Sequence, residues 1–150
     1  MQPQDPDYDA RLRASFQRQH VMNMLGARLT RIAPGETEVE MPYRADLTQQ
    51  HGFLHAGIVT TILDTACGYA AFSLMPADTG DAALLSIEFK TNLLAPARGE
   101  LLVARARVVR AGRTVTVCQA DGVMMDGGRE VHVAIMTATM MTVATPGVAR

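Results

Sequence analysis

The sequence predicts an α+β domain in which an antiparallel β-sheet covers one long, apolar helix. Three observations carry that expectation. The stretch "QQHGFLHAGIVTTILDTACGYAAFSL", residues 49–74, opens an apolar run from Gly57 to Met75 that is long enough for a buried helix. Four later stretches, "LLSIEFKTNLL", "GELLVARARVVR", "TVTVCQADGVMM" and "EVHVAIMTATMMTV", are rich in β-branched and alternating apolar residues. Their separators, "APARGE", "RAGR" and "MDGGRE", are short and rich in Gly, Pro and charge, which predicts antiparallel hairpin connections. A helix that is apolar on nearly every side must be covered, and a sheet with one apolar face can do that.

The elements follow in chain order. From Asp9 to about Met24, "DARLRASFQRQHVMNM" places Leu12, Phe16 and, less regularly, Val21 and Met24 on one side, which predicts an amphipathic helix. In "GARLTRIAPGETEVEMPY", Pro34-Gly35 separates two short runs, and Thr37, Val39 and Met41 alternate with Glu36, Glu38 and Glu40. That alternation about a turn predicts a β-hairpin. The apolar helix and the four strands come next. At 150 residues, residues 1–150 are expected to form a single domain, with 1–8 and 144–150 as loose ends.

Composition narrows the function classes. With 48% hydrophobic and 19% charged residues the chain can build a core without disulfides. A net charge of −1 with dispersed Lys and Arg gives no footprint for a nucleic acid or an anionic membrane. Cys67 and Cys118 sit in apolar segments, and the acidic start "MQPQDPDYDA" lacks a signal-peptide pattern, so a cytoplasmic protein with reduced thiols is expected. The run after Gly57 has the length of a membrane span, but an Asp near its centre would cost roughly 2.5–3.5 kcal/mol on insertion. A buried helix is the better reading.

That Asp is the first candidate for chemistry. Asp64 lies among Ile62, Leu63 and the small Ala66, Cys67 and Gly68, where burial raises a carboxyl pKa unless hydrogen bonds offset it. Such a group suits general-base or nucleophilic work; it equally suits a local structural pair at a helix interface. Upstream, Gly52 and Gly57 keep "HGFLHAG" from being a regular helix and leave amides at the next helix start, which can serve an oxyanion or only shape a loop. His51 and His55 at i and i+4 lack a third ligand and the helix that a metal pair needs, so no metal site is expected. His55 is expected to orient a carbonyl or pack at the loop. Cys67 has no cationic neighbour at fixed spacing and reads as a buried core thiol.

Taken together, "HxxxHAG" before the central helix, the acid in "ILDTACGYAA", "LLSIEFKTNLLAPA" and "RAGRTVTVCQADGVMMDGGREVHVAIMTATM" resemble the hotdog-fold acyl-CoA thioesterases, over about residues 20–143. The similarity is greatest to the phenylacetate-pathway, PaaI-like branch. That family usually has His-Gly-Gly where this chain has His55-Ala56-Gly57. The resemblance implies that Asp64 is the catalytic acid and that the Ala56 amide, eight residues earlier, polarises the thioester carbonyl. Gly57 takes that role if the position needs a positive φ. It further implies that Gln49 (or its neighbour Gln50) helps hold the carbonyl or water and that Ser86 orients the attacking water. Lys90, Arg98, Arg110 and Arg113 are candidates for the phosphates of coenzyme A, or else solvated strand edges.

The reaction so implied is hydrolysis of an acyl-CoA, aryl-acyl or medium-chain, to free acid and coenzyme A. Water activated by Asp64 is the nucleophile, or Asp64 attacks directly. A thioester is already activated, so no metal or redox cofactor is required. Two other readings share the fold: a non-catalytic acyl-CoA-binding protein, and a hotdog dehydratase or hydratase, which would need an Asp and His pair not evident here. Hotdog subunits pair edge to edge through a strand, so a homodimer or homotetramer is expected, with sites formed where one subunit's central helix meets the other's preceding loop.

Overall fold

A computed structural model describes residues 1–77 and 82–144. The chain forms α1 (Tyr8–Gln17), α2 (His20–Leu25), β1 (Arg28–Ala33), β2 (Glu36–Pro42), a 3₁₀ turn (Ala45–Leu47) and α3 (Ala56–Phe72). These are followed by β3 (Ala82–Leu93), β4 (Leu101–Ala111), β5 (Val115–Asp126) and β6 (Arg129–Ala144). Six strands make one sheet in the order β1-β2-β4-β5-β6-β3, and every pairing is antiparallel.

The sheet curls around α3 because one face of it is apolar throughout. Thr37, Val39 and Met41 of β2 are buried while the alternating glutamates stay at the surface, and Thr37 Oγ1 donates to Ala66 O at 2.8 Å. Ala104 and Ala106 of β4, Cys118 and Ala120 of β5, and Ala134, Met136, Ala138 and Met140 of β6 continue that face. Small residues let the sheet approach the helix closely, and unbranched Met side chains fill the gaps. On α3, Val59, Ile62, Leu63, Ala66, Cys67 and Ala70 are buried against it. Among the described residues no helix is long and apolar enough to cross a membrane.

Three expectations are corrected. The predicted helix from Asp9 to Met24 is two helices, because Gln19 is extended (φ −77°, ψ 104°) and serves as the N-cap position of α2. That break rotates the buried face by one residue: Met22 and Leu25 are buried, whereas Val21 and Met24 are 42% and 66% exposed. Second, "APARGE" is a crossing and not a hairpin. β3 pairs with β6, while β4 lies between β2 and β5. The connection passes the ends of β6 and β5, with Leu94 N–H donating to Val133 O (2.8 Å) and Glu100 N–H to Met125 O (2.7 Å). Its Gly, Pro and charge marked a connection without specifying which strands it joins.

Third, the expected loose end at 1–8 is anchored at Asp5, although residues 1, 2, 4, 6 and 7 are exposed. Asp5 is buried and accepts an ion pair from Arg11 Nε at 2.9 Å. Arg11 also donates to the carbonyls of Met75 (2.7 Å) and Pro76 (3.1 Å), and its guanidinium lies 4.7 Å from the Phe72 ring centroid. The N-terminal segment is thereby tied to the C-terminal end of α3. Ala144 ends β6, and the remainder of the expected loose end, 145–150, lies outside the described residues.

Candidate active site

Asp64 sits in the middle of α3, half-buried, on the margin where the helix meets the edge strand β3. Ser86 Oγ donates to Asp64 Oδ1 at 2.7 Å and lies 3.2 Å from Met140 Sδ. The strand brings it there by register: Ser86 faces Met140 of β6, and a bulge follows between Ser86 and Glu88. Bulges re-aim side chains at the ends of regular pairing. Burial raises the Asp64 carboxyl above the ordinary carboxylate range, and the Ser86 hydrogen bond opposes that rise. Ser86 therefore holds one carboxylate oxygen, and the other has no hydrogen-bond partner among the described residues.

The cleft beside Asp64 has a volume of about 530 Å³. Thr61, Thr65, Gly68, Tyr69 and Phe72 of α3 form one wall, the start of β3 another, and Ser15, Arg18, Gln19 and Val21 from the α1–α2 corner a third. The α1–α2 contribution had no signal in the sequence, because no local motif says which end of α3 an amphipathic helix will cover.

A second structure lies at the other end of α3. His55 is the N-cap residue, and its Nδ1 accepts the Gly57 N–H at 3.0 Å. His55 thus caps the helix, a role its extended backbone (φ −60°, ψ 137°) allows. The Gly57 amide is consequently committed. The Ala56 N–H, one residue earlier, has no acceptor among the described residues. Ala56 is the first residue of α3, and no non-glycine residue among those described has a positive φ, so alanine sits there without strain.

Ala56 shares a cavity of about 390 Å³ with Gln49, Phe53, Val59 and the β3–β4 crossing from Leu93 to Ala97. Gln49 is held in place: its Oε1 accepts the His51 N–H and its own N–H donates to Phe53 O (2.9 Å), around a turn that needs the left-handed Gly52 (φ 78°). Gln50 is exposed and does not line that cavity. The loop is pinned by Leu54 N–H to Ala97 O (2.8 Å), His55 N–H to Leu47 O (3.0 Å) and Tyr43 hydroxyl to Gly52 O (2.8 Å). Asp64 with Ser86, and Gln49 with Ala56, therefore belong to different hollows of one chain. Eight residues of helix separate Ala56 from Asp64, about 12 Å of rise.

The expected basic residues do not converge. Lys90 is on β3 opposite Thr137, and Arg98 borders a hollow with Tyr43, Glu100 and Asp126 near the start of α3. Arg110 and Arg113 are at the β4–β5 turn, where Arg113 lines a hollow with Ala71 and Leu74 at the far end of α3. Cys67 is fully buried; desolvation pushes its thiol up, as burial pushes Cys118 up to about 12, so neither supplies a thiolate. His132 Nε2 lies 2.9 Å from Asp121 Oδ1 on the outer face of the sheet, a pairing that the sequence did not signal.

Comparison with known proteins identifies the family and the fold. A family model, the Thioesterase superfamily, matches residues 51–131. The chain belongs to the thioesterase superfamily, and its fold is the hotdog fold. A solved thioesterase family protein from Silicibacter pomeroyi is similar at 54% identity with a TM-score of 0.87, covering 92% of this chain and 99% of that one. Human acyl-coenzyme A thioesterase 13 is 29% identical over 94 residues, 62% of this chain and 64% of its own. The Escherichia coli PaaI protein from the phenylacetic acid degradation operon superposes with a TM-score of 0.81 at 20% identity, over 91% of this chain and 94% of that one. At that identity it speaks to the fold alone.

Proposed function

We propose that this thioesterase hydrolyses an acyl-CoA, with Asp64 as general base. The observation that carries the proposal is the half-buried Asp64, held by Ser86 at 2.7 Å in a cleft open to a ligand. In the proposed step a water oxygen bonds to the thioester carbonyl carbon while its proton passes to Asp64. The negative charge that develops on the carbonyl oxygen is met by the Ala56 N–H and by the Gln49 amide. Collapse breaks the carbon–sulfur bond, and the proton on Asp64 passes to the leaving thiolate. The products are a carboxylic acid and coenzyme A.

The active unit in this reading is a homodimer, with the two halves of each site on different chains. Two observations support it. Asp64–Ser86 and Gln49–Ala56 occupy separate hollows within a chain. The two sheet edges also differ: β1 is short and guarded by Arg28–Glu40, Arg31–Glu36 and Arg31–Glu38 ion pairs. β3 is twelve residues long and presents Leu85, Ile87 and Phe89 at 49%, 54% and 46% exposure. A long apolar edge is a surface for pairing, and a charged one resists it. Pairing along β3 would bring the partner's loop and α3 start toward Asp64.

The direct test is release of free thiol from phenylacetyl-, benzoyl- and medium-chain acyl-CoAs by wild type and Asp64→Asn. Turnover that depends on Asp64 supports hydrolysis. Tight binding of these thioesters with no turnover would instead identify a binding protein.

A further inference from the structure

The far wall of the Asp64 cleft carries donors that a plain hydrocarbon chain would leave unpaired. Tyr69 Oη accepts Gln19 Nε2–H at 3.2 Å and shares a hydrogen bond with Ser15 Oγ at 3.1 Å. Ser15 and Tyr69 have one hydroxyl proton each, and their mutual bond uses one of the two. Whichever donates, the other proton has no acceptor among the described residues, and both side chains line the cleft. The Arg18 guanidinium, on the same wall, has no ion pair or hydrogen bond among the described residues. It is the C-cap residue of α1, and Gln19 next to it is the extended residue that breaks α1 from α2.

The wall is also rigid. Tyr69 is 4% exposed and packs edge to face with Phe16 (5.3 Å between centroids) and Phe72 (6.1 Å). Arg11 fastens the other end of α1 to Met75 and Pro76, so the donors are carried on a fixed element. From Asp64 to Tyr69 is five residues of helix, about 7.5 Å of rise. That leaves room for an acyl group whose carbonyl is at Asp64 and whose far end reaches the donors.

Resting on the reading of this cleft as the acyl side of a thioesterase site, we propose that Ser15, Arg18, Gln19 and Tyr69 select acyl groups whose far end carries an oxygen acceptor. An unsubstituted alkyl end would displace water from the spare hydroxyl proton and from Arg18 without replacing its hydrogen bonds. A carboxylate would engage the Arg18 fork as well as the hydroxyl; a neutral carbonyl would engage the hydroxyl alone.

The experiment compares kcat/KM for hexanoyl-, 5-oxohexanoyl- and adipoyl-CoA in wild type, Arg18→Met and the triple variant Ser15→Ala/Gln19→Leu/Tyr69→Phe. Wild type is expected to favour the two oxygen-bearing substrates over hexanoyl-CoA by about tenfold or more. Arg18→Met should lower the adipoyl-to-hexanoyl ratio by about tenfold and leave the 5-oxohexanoyl-to-hexanoyl ratio in place. Tyr69→Phe alone would free the Ser15 proton, so the variant that removes every neutral donor, Ser15→Ala/Gln19→Leu/Tyr69→Phe, should lower both ratios; since ratios are read within one protein, a general loss of fold does not imitate the result. Equal losses on all three substrates in Arg18→Met would assign Arg18 to the coenzyme portion and overturn its part here. Wild-type preference for hexanoyl-CoA overturns the inference while leaving the hydrolase intact; no turnover of any of the three removes both.

Discussion

In the proposed reaction, Asp64 is the residue at which burial and chemistry meet. Its carboxyl is raised by desolvation and partly restrained by Ser86. A general base must be ionised, so kcat/KM is expected to fall on the acid side, with an apparent pKa above the usual Asp value of about 3.9. Ser86→Ala removes the bond that favours the ionised form, and the acid limb should then move to higher pH; an unmoved limb in the pH–rate profile would uncouple Ser86 from Asp64. Asp64→Asn should lower the rate by roughly 100-fold or more. The stability consequence has the opposite sign. A carboxyl whose folded-state pKa is raised loses stability as pH rises from the unfolded value through the folded one. Asp64→Asn, which can still accept from Ser86, should therefore melt at or above wild type at pH 7. The difference should vanish below the unfolded pKa, as thermal denaturation across pH will report.

At the scale of an element, the start of α3 separates two jobs that the sequence places on adjacent residues. His55 closes the helix end by capping Gly57, and Ala56 keeps an unspent amide. Ala56→Pro tests the second job cleanly. Proline suits the first position of a helix, and the extended His55 before it is already compatible with a following proline. The variant deletes one donor without breaking α3, so kcat should drop by about 100- to 1000-fold with little change in melting temperature. His55→Ala leaves Gly57 uncapped and should cost about 1 kcal/mol of stability, read by chemical denaturation. Strand β3 is the other informative element. Ile87→Lys places a charge on its exposed apolar edge and should shift the protein from dimer to monomer in light scattering, with activity lost in parallel.

For the whole molecule, the separation of the two hollows makes a prediction that no single-chain site would satisfy. Heterodimers of Asp64→Ala with Gln49→Ala/Ala56→Pro subunits concentrate both lesions in one interface site and leave the other intact. Purified heterodimers should recover up to about half of wild-type activity. Stably paired heterodimers with no activity above either parent would mean that the site is built within one chain.

What the sequence by itself determined is what local pattern can encode. The period-two alternation of Thr37, Val39 and Met41 and the turn at Pro34-Gly35 made a hairpin legible, and the apolar run with its central Asp64 made α3 legible. The residues around "HAG" and "ILDTACGYAA", through their resemblance to a family, pointed to Asp64, Ser86, Gln49 and Ala56. Only the tertiary structure decided which strands are neighbours. The β3–β4 connection carries the same turn chemistry as a hairpin, and its crossing is fixed by pairing of β3 with β6, a contact distant in sequence. Only the tertiary structure, likewise, turned Met22 and Leu25 inward through the break at Gln19, gave His55 its capping role, and set Ser15, Arg18 and Gln19 beside Asp64. Periodicity reports which face of an element is buried; what that face is buried against depends on contacts between segments far apart in the chain.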